Sequence, residues 1–487
     1  MPPWTDLSRN SISVVLVVVV FCILRYLKSP WRKVPPGPRG LPLLGNIREL
    51  VNSRWLTSLA PKDIYGELMF LRVPGMSVLV MNSLRVATDL FDRRTTTYSD
   101  RPRLILASEI YTGGLELAFA PYGDVWRRMR RAAHEGLNST AAKRFQPVQT
   151  KEAVILTIDL LVDEASESLK RIHDHGVRIQ MALLPGSNWV QIFPWMKQIP
   201  SSFAKWKRLG EYWFARDSEM FHGLLRKARD DLSTGVDNMT LGATFLKQQG
   251  RSGLSDTEID WLSGIMFAAG TDTTTLSLSW WLMAMIVHPE TQARAHAELD
   301  AVVGRDRVPA FSDLPHLPYV RATIREAMRW RPSFPLGLPH ATTKDDWYEG
   351  MFIPKGTVCF ASVNACNQDA TVYGDDAARF DPARHLQAPN GELKQLPQEG
   401  HVNYGFGRRV CIGRHLANNT MDIAVAMILW ATNVSQAKDK DGGDIRVETD
   451  EYINLELVHL PVPFECNIEP RFPEALEILA TERDRMR

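Results

Sequence analysis

HVNYGFGRRVCIGRH, His401 to His415, sets one cysteine among three glycines and three arginines. A lone cysteine is commonly a small buried hydrophobe, and Cys411 with His415 would supply only two of the four ligands of a structural zinc site. The neighbourhood argues for something else. Gly405, Gly407 and Gly413 permit tight turns and close backbone approach, while Arg408, Arg409 and Arg414 favour the thiolate. A thiolate presented on a glycine-lined loop suits an iron that backbone must approach on one face.

The rest of the chain narrows the setting. It has 487 residues, 57 basic and 56 acidic, so a formal charge of +1 implies no bulk attraction to nucleic acid. Cys22, Cys359, Cys366, Cys411 and Cys466 form no CxxC pair, which fits neither a disulfide framework nor a zinc ribbon and points to a reducing compartment. Ile12 to Leu24 is apolar except for Ser13, and Arg25, Lys28, Arg32 and Lys33 follow it. This predicts an uncleaved membrane anchor with the chain beyond it in the cytosol. Thirteen helical residues reach about 20 Å against a hydrocarbon core of about 30 Å, so the span needs Tyr26 and Leu27 while Arg25 snorkels; a signal peptide or an interfacial helix is the alternative. Val34 to Asn46, VPPGPRGLPLLGN, reads as a rigid spacer. The organisation is therefore an N-terminal segment over 1–10, an anchor over 11–27, a basic, proline-rich hinge over 28–46 and one large domain over 47–487.

Helices should dominate that domain. In LSDTEID, Ser255 can cap and Glu258 completes a capping box; apolar residues then run to Val287, before His288 and Pro289. The pattern predicts a helix of roughly 32 residues, about 48 Å, long enough to cross the domain. Further helices are predicted over Glu290 to Val303, ended by Gly304, and Pro318 to Arg331, with strands near Met69 to Met81 and Thr357 to Val363. Midway along the long helix stands FAAGTDTTT, Phe267 to Thr275, a poor choice for helix stability. Gly270 would let a flat ligand lie against backbone, threonine hydroxyls can take carbonyls of the preceding turn and open a local bulge, and Asp272 sets an acid beside the alcohol of Thr273. A polar stripe facing a partner helix is the alternative. Glu326 and Arg329 share a helix face, a pairing of little worth if exposed and costly to break if buried.

Together these residues resemble the haem-thiolate monooxygenases, the cytochrome P-450 enzymes, and in particular membrane-anchored members from filamentous fungi. Gly407, Arg409, Cys411 and Gly413 match the family's Phe-x-x-Gly-x-Arg-x-Cys-x-Gly loop, with Tyr404 where phenylalanine is usual. Ala269 to Thr274 match the oxygen-activating motif, and Glu326 and Arg329 match its Glu-x-x-Arg pair. FDPARHL supplies Arg384 as third member of that triad, although Ala383 and His385 replace the usual Glu and Phe. The resemblance implies a mainly α fold with small β-sheets (α+β), a single haem domain behind the anchor, and haem b with Cys411 as axial ligand of iron. It implies Trp126, Arg130, His340 and Arg409 at the propionates and Asp272 with Thr273 as proton relay.

It also implies partners. Electrons would come from NADPH through a separate reductase in the same membrane, that of the endoplasmic reticulum, with Arg127, Arg128, Arg131, Arg408 and Arg414 as a basic docking face. Ile265, Phe267, Ala268, Ala269, Phe334 to Leu338 and Leu457 to Leu460, Val458 included, correspond to pocket positions and suggest an apolar small molecule, a secondary metabolite or xenobiotic. One stretch departs from the family. Between Val162 and Leu183 the chain is too short for the core helix expected there, so either that helix is reduced or the sequence is a truncated gene model; a haem-binding but catalytically impaired protein is the alternative function. Sequons at Asn138, Asn238, Asn418 and Asn433 should stay unmodified in a cytosol-facing domain.

Overall fold

The computed structural model describes residues 20, 24–25, 27–42, 44–47, 49, 62–162, 189–236, 239–387, 391–455 and 457–486. Among them the longer helices are α1 (Asp124–Leu137), α2 (Gln146–Val162), α3 (Lys205–Ser233), α4 (Leu241–Lys247), α5 (Asp256–Val287), α6 (Pro289–Val302), α7 (Pro318–Trp330), α8 (Arg414–Ala431) and α9 (Ala475–Arg485). The capping box that predicts α5 is present: Glu258 N–H donates to Ser255 Oγ at 3.2 Å, and Ser255 N–H donates to Glu258 Oε2 at 2.8 Å. Proline opens both α6 and α7, where its missing N–H costs nothing.

Strands β1 (Leu68–Val73) and β2 (Met76–Met81) form a hairpin turned at Gly75, whose φ of +77° suits glycine. Strand β3 (His340–Ala341), hairpin β4 (Asp346–Tyr348) and β5 (Met351–Ile353), and β6 (Val358–Ala361) follow. The four-stranded sheet runs β1-β2-β6-β3, with β2 and β6 parallel and the other pairs antiparallel. β7 (Thr432–Gln436) pairs with β10 (Cys466–Pro470), and β8 (Tyr452–Leu455) with β9 (Val458–Pro461). Helices outweigh these small sheets, as the sequence predicts.

One apolar core joins α2, the end of α5, α6, α7, α8 and α9 around Trp281, Trp330 and Trp430. Two indole hydrogen bonds fix α5 within it: Trp281 Nε1 donates to Thr323 Oγ1 of α7 at 3.0 Å, and Trp280 Nε1 to the carbonyl of His459 in β9 at 3.1 Å. Helix α8 is buried from Met421 to Ala431 apart from Asp422, so its N-terminus is held by the core. That end carries the cysteine loop.

The predicted anchor and the shortened stretch lie largely or wholly outside the described residues, since only positions 20, 24, 25 and 27 of 11–27 and none of 163–182 are included. Among the described residues no helix is long and apolar enough to cross a membrane.

Candidate functional site

The loop is cinched by its own backbone. Cys411 N–H donates to Tyr404 O at 2.7 Å, Gly405 N–H to Val402 O at 3.0 Å, and Gly407–Arg409 form a 3₁₀ turn. Gly407 has φ +55°, and a Cβ there would lie 2.3 Å from the carbonyl oxygen of Phe91, so only glycine fits. Cys411 is partly exposed while its sulfur sits deep. Burial pushes the thiol up; N–H groups of Gly413 and Arg414 at the start of α8, and the charges of Arg130 and Arg414, pull it back. Gly413 differs from Gly407: a Cβ there meets nothing within 4 Å, and Gly270 on α5 is equally open, so neither is glycine for the sake of protein packing. Tyr404 OH donates to Asn418 Oδ1, and Asn418 Nδ2 donates to Glu399 at 2.6 Å. That bond occupies the amide of one sequon.

Beside the loop stands a cluster of buried cations. Arg409 Nε donates to Ser99 O and Nη2 to Ala120 O, both at 2.9 Å, its guanidinium lies 4.1 Å from the Trp126 ring centroid, and Nη1 is buried without a partner among the described residues. Arg101, absent from the sequence expectations, is buried with Nε on Ala118 O at 2.7 Å and Nη1 on Pro339 O at 2.5 Å. Arg130 donates to Val410 O, next to Cys411. His340 is buried, bonds Tyr98 O through Nδ1 at 2.7 Å and stacks on Phe91 at 4.0 Å. Burial and mutual repulsion hold Arg101 well below its usual range, and burial with neighbouring Arg130 brings Arg409 down to about 10 despite Asp100. Asp100 Oδ1 already serves the N–H groups of Arg101 and Tyr122. A dianionic edge is what such a cluster fits, and the carboxylates of haem supply one. The open glycines fit the porphyrin plane. The donor set therefore fits haem.

The middle of α5 behaves differently from its ends. Ile259 to Ile265 and Trp280 to Ile286 are mostly buried, whereas Phe267 is 47% exposed and Ala269 and Gly270 are also exposed. Thr271, Thr273, Thr275, Ser277 and Ser279 each donate to the carbonyl four residues back, Thr273 to Ala269 O at 2.7 Å. The helix is nevertheless continuous, so the predicted bulge does not form. Met266 of α5 and Ile412 of the loop pack against one apolar cluster with Trp126 and Met129 of α1, so the residue before Phe267 and the residue after Cys411 share a core.

Of the expected pocket positions, Phe334, Leu338 and Leu457 pack together with Leu104 to Ala107, Ile110, Phe119 and Val190, a segment the sequence did not mark. Ile265 does not join them. It packs with Phe221 and Trp261 beneath α3, because one turn of helix carries it round to the face opposed to that element. Val458 is buried and paired with Leu455 in the β8–β9 hairpin, and Ala268 is half-buried.

Glu326 and Arg329 are fully buried. Arg329 Nε and Nη2 each donate to the carboxylate at 2.7 Å, Arg384 Nε at 2.9 Å, and the N–H of Asp381 at 2.8 Å. His385 adds Nε2 at 2.9 Å, so the departure from phenylalanine extends the triad to four side chains. Of the expected docking cations, Arg128 is engaged elsewhere: it bonds Glu258 at 3.0 Å and Asp124 at 2.9 Å, stapling α1 to the start of α5. Arg127 and Arg131 are exposed, and Arg408 donates to Tyr122 OH.

Residues 157–449 match the family model described as Cytochrome P450. Two cytochrome P450 monooxygenases of Armillaria gallica are similar along the whole chain, one 48% identical with 98% of each chain covered, the other 46% identical with 96% of this chain and 97% of the relative covered. A cytochrome P450 monooxygenase of Postia placenta is 42% identical, with coverage of 98% and 97%.

Proposed function

This chain belongs to the cytochrome P450 family and is an oxygen-incorporating oxidoreductase; from that premise we propose that it is membrane-bound, takes electrons from NADPH through a separate reductase, and oxidises an apolar small molecule, a secondary metabolite or xenobiotic. The observation that carries the site assignment is the set of buried Arg101, Arg409 and His340 with half-buried Arg130 beside the loop that presents Cys411. Arg409, His340, Arg101 and Trp126 would hold the propionate edge, and Cys411 the iron. Gly407 lets the loop seat against Phe91 O, and Gly413, where a Cβ would meet nothing, leaves room for that approach. The chemistry haem supplies when bound is activation of dioxygen, one atom entering substrate and the other leaving as water with two electrons and two protons.

The chain's own residues manage protons and shape. Thr273 Oγ1 donates to Ala269 O, which leaves its lone pairs free to accept a proton-bearing partner, and Asp272 on the next position brings an acid to the same stretch of α5. His340 gives Nδ1–H to Tyr98 O, so its Nε2 can donate to an anion only when the ring is protonated. The apolar cluster of Phe334, Leu338, Leu104 to Ala107, Ile110 and Leu457 supports an apolar substrate.

Ile12 to Leu24 with the basic residues after it supports membrane attachment, as do the exposed aromatic side chains of Trp189, Trp195 and Phe203, which are 69, 63 and 85% exposed near Lys205 and Lys207. The second reading, a haem-binding but impaired protein or a truncated gene model, draws on the alignments: 98% of 487 residues is about 477, so some 33 of the 510 columns shared with the first relative hold no residue of this chain.

The test is a carbon-monoxide difference spectrum of the reduced, haem-loaded protein. A thiolate-ligated band that vanishes in Cys411→Ser is expected; the same band in both proteins overturns the assignment. NADPH-dependent oxygen consumption with a reductase separates the active from the impaired reading.

A further inference from the structure

Outside the family's motifs, one acidic side chain reaches the cysteine loop. Thr88–Arg93 winds as a π-helical turn, a geometry frequent at functional sites, and its end meets the loop in two ways. Asp92 Oδ1 accepts the N–H of Gly407 at 2.6 Å, and the carbonyl oxygen of Phe91 fills the space where a Cβ of Gly407 would stand. Phe91 also stacks on His340 at 4.0 Å and meets Phe406 of the loop at 5.9 Å. Gly407 is the first residue of the 3₁₀ turn whose last residue is Arg409, and Cys411 follows two positions later. Its N–H has no partner within that turn, so the acceptor that fixes the turn's start comes from Asp92.

We propose that Asp92 is a positioning residue for Cys411: by accepting the Gly407 N–H while Phe91 O closes the other side, it sets the height and tilt at which the loop offers its sulfur to haem iron. The bond acts through the loop, so its loss lets the turn open and the sulfur withdraw, which favours the neutral thiol over the thiolate as ligand. Arg409, at the end of the same turn, would shift with it.

The inference rests on Cys411 as the iron ligand, and the experiment separates the two. Haem-loaded full-length wild type, Asp92→Ala and Asp92→Asn are reduced under carbon monoxide, and the ratio of thiolate-ligated to neutral-thiol absorption bands is followed over time, alongside thermal unfolding. Loss of one hydrogen bond at an exposed carboxylate should raise the neutral-thiol fraction about fivefold in Asp92→Ala, while Asp92→Asn, which keeps Oδ1 as acceptor, stays within about twofold of wild type. Arg93→Ala, next door and exposed, should match wild type. If Asp92→Ala leaves the band ratio unmoved even where it lowers the melting temperature, Asp92 is merely structural and the proposal fails. Asp92→Asn behaving no better than Asp92→Ala also overturns it. Absence of the thiolate band in wild type is a failure of the ligand assignment.

Discussion

Around Glu326 one buried carboxylate meets two guanidiniums, an imidazole and a backbone N–H; around Arg409, buried guanidiniums and an imidazole face one another, with Asp100 as the nearby acid. Both clusters are removed from water, and both would be prohibitively costly if their charges stood alone. The first is closed. Its acid is met at both oxygens and the guanidinium nitrogens of Arg329 and Arg384 all find Glu326, Asp376 or backbone carbonyls; His385 Nδ1 alone of these side chains is buried without a partner among the described residues. The second is open: Arg409 Nη1 has no partner among the described residues, and Arg101 is pushed well below its usual range by burial and by Arg409 and Arg130. A fold tolerates that arrangement when a ligand completes it, which is why the charge imbalance, more than the cation count, supports the proposed cofactor edge.

Breaking the closed cluster should have the largest effect. Glu326→Ala leaves Arg329 and Arg384 buried without their counter-ion, and removing one partner of a buried ion network costs about 3 to 5 kcal/mol. We expect a large drop in soluble yield and in the urea unfolding midpoint, with or without haem. A midpoint equal to wild type would mean that the cluster is not closed by this carboxylate.

Removing a cation from the open cluster should spare the haem-free chain. Arg409→Ala removes a guanidinium whose burial is its largest cost, at the expense of its bonds to Ser99 O and Ala120 O, so apoprotein stability should change little, while haem retention weakens about ten- to a hundredfold, the worth of a charge-assisted bond of roughly 1.5 to 3 kcal/mol. Haem transfer to excess apomyoglobin measures the second, and urea unfolding of apoprotein the first. Parallel losses in both would erase the distinction between the clusters.

Each cluster also holds one histidine, which sharpens the comparison through pH. Burial, then Arg101 and Arg409, holds His340 well below 6.5; burial lowers His385 too, but there Glu326 works against it. For a depressed pKa the unfolded chain binds more protons between the folded value and about 6.5, so the stabilising contribution is full above 6.5 and is lost as pH falls below it. Urea midpoints of the haem-free protein should therefore decline from neutral to mildly acidic pH, and His340→Gln should flatten that decline more than His385→Gln does. An anion seated on the open cluster counters the depression, so haem-loaded protein should show the shallower slope. Equal slopes with and without haem would count against an anion at His340.

Much of this was legible in the sequence because local chemistry announces itself. Ser255 with Glu258 marks the start of α5, Pro289 its end, and the glycine and arginine spacing around Cys411 singles out the loop. Arg101 was not legible: its only sequence signal is an arginine before a proline, and what buries it are carbonyls of residues 118, 338 and 339, far along the chain. The same holds for Asp92, whose partner is 315 residues away. The packing of Ile265 was not legible for a different reason. Position in a motif-bearing helix gives depth along the axis but not azimuth, and Phe221 and Trp261 claim its face. The absent bulge in α5 shows that hydroxyl back-bonding at alternate positions is compatible with an unbroken ladder.

The smallest effect is expected where the loop departs from its family at Tyr404. Its phenol is buried and held far above the usual range by burial and by the neighbouring sulfur, so it stays neutral and serves as a donor to Asn418 Oδ1, whose amide reaches Glu399. Tyr404→Phe removes one hydroxyl and leaves the ring, which packs against His401 at 5.3 Å, and the backbone bond from Cys411 N–H to Tyr404 O untouched. The cost should be about 1 kcal/mol, because Asn418 Oδ1 loses a partner while the apolar packing survives. Asn418→Asp, by contrast, keeps an acceptor for the phenol but turns a donor toward Glu399 into a second acid, and should cost more than Tyr404→Phe. The reverse order would mean that the phenol is held by packing alone, and that the loop owes its shape to its glycines and backbone rather than to this side-chain chain.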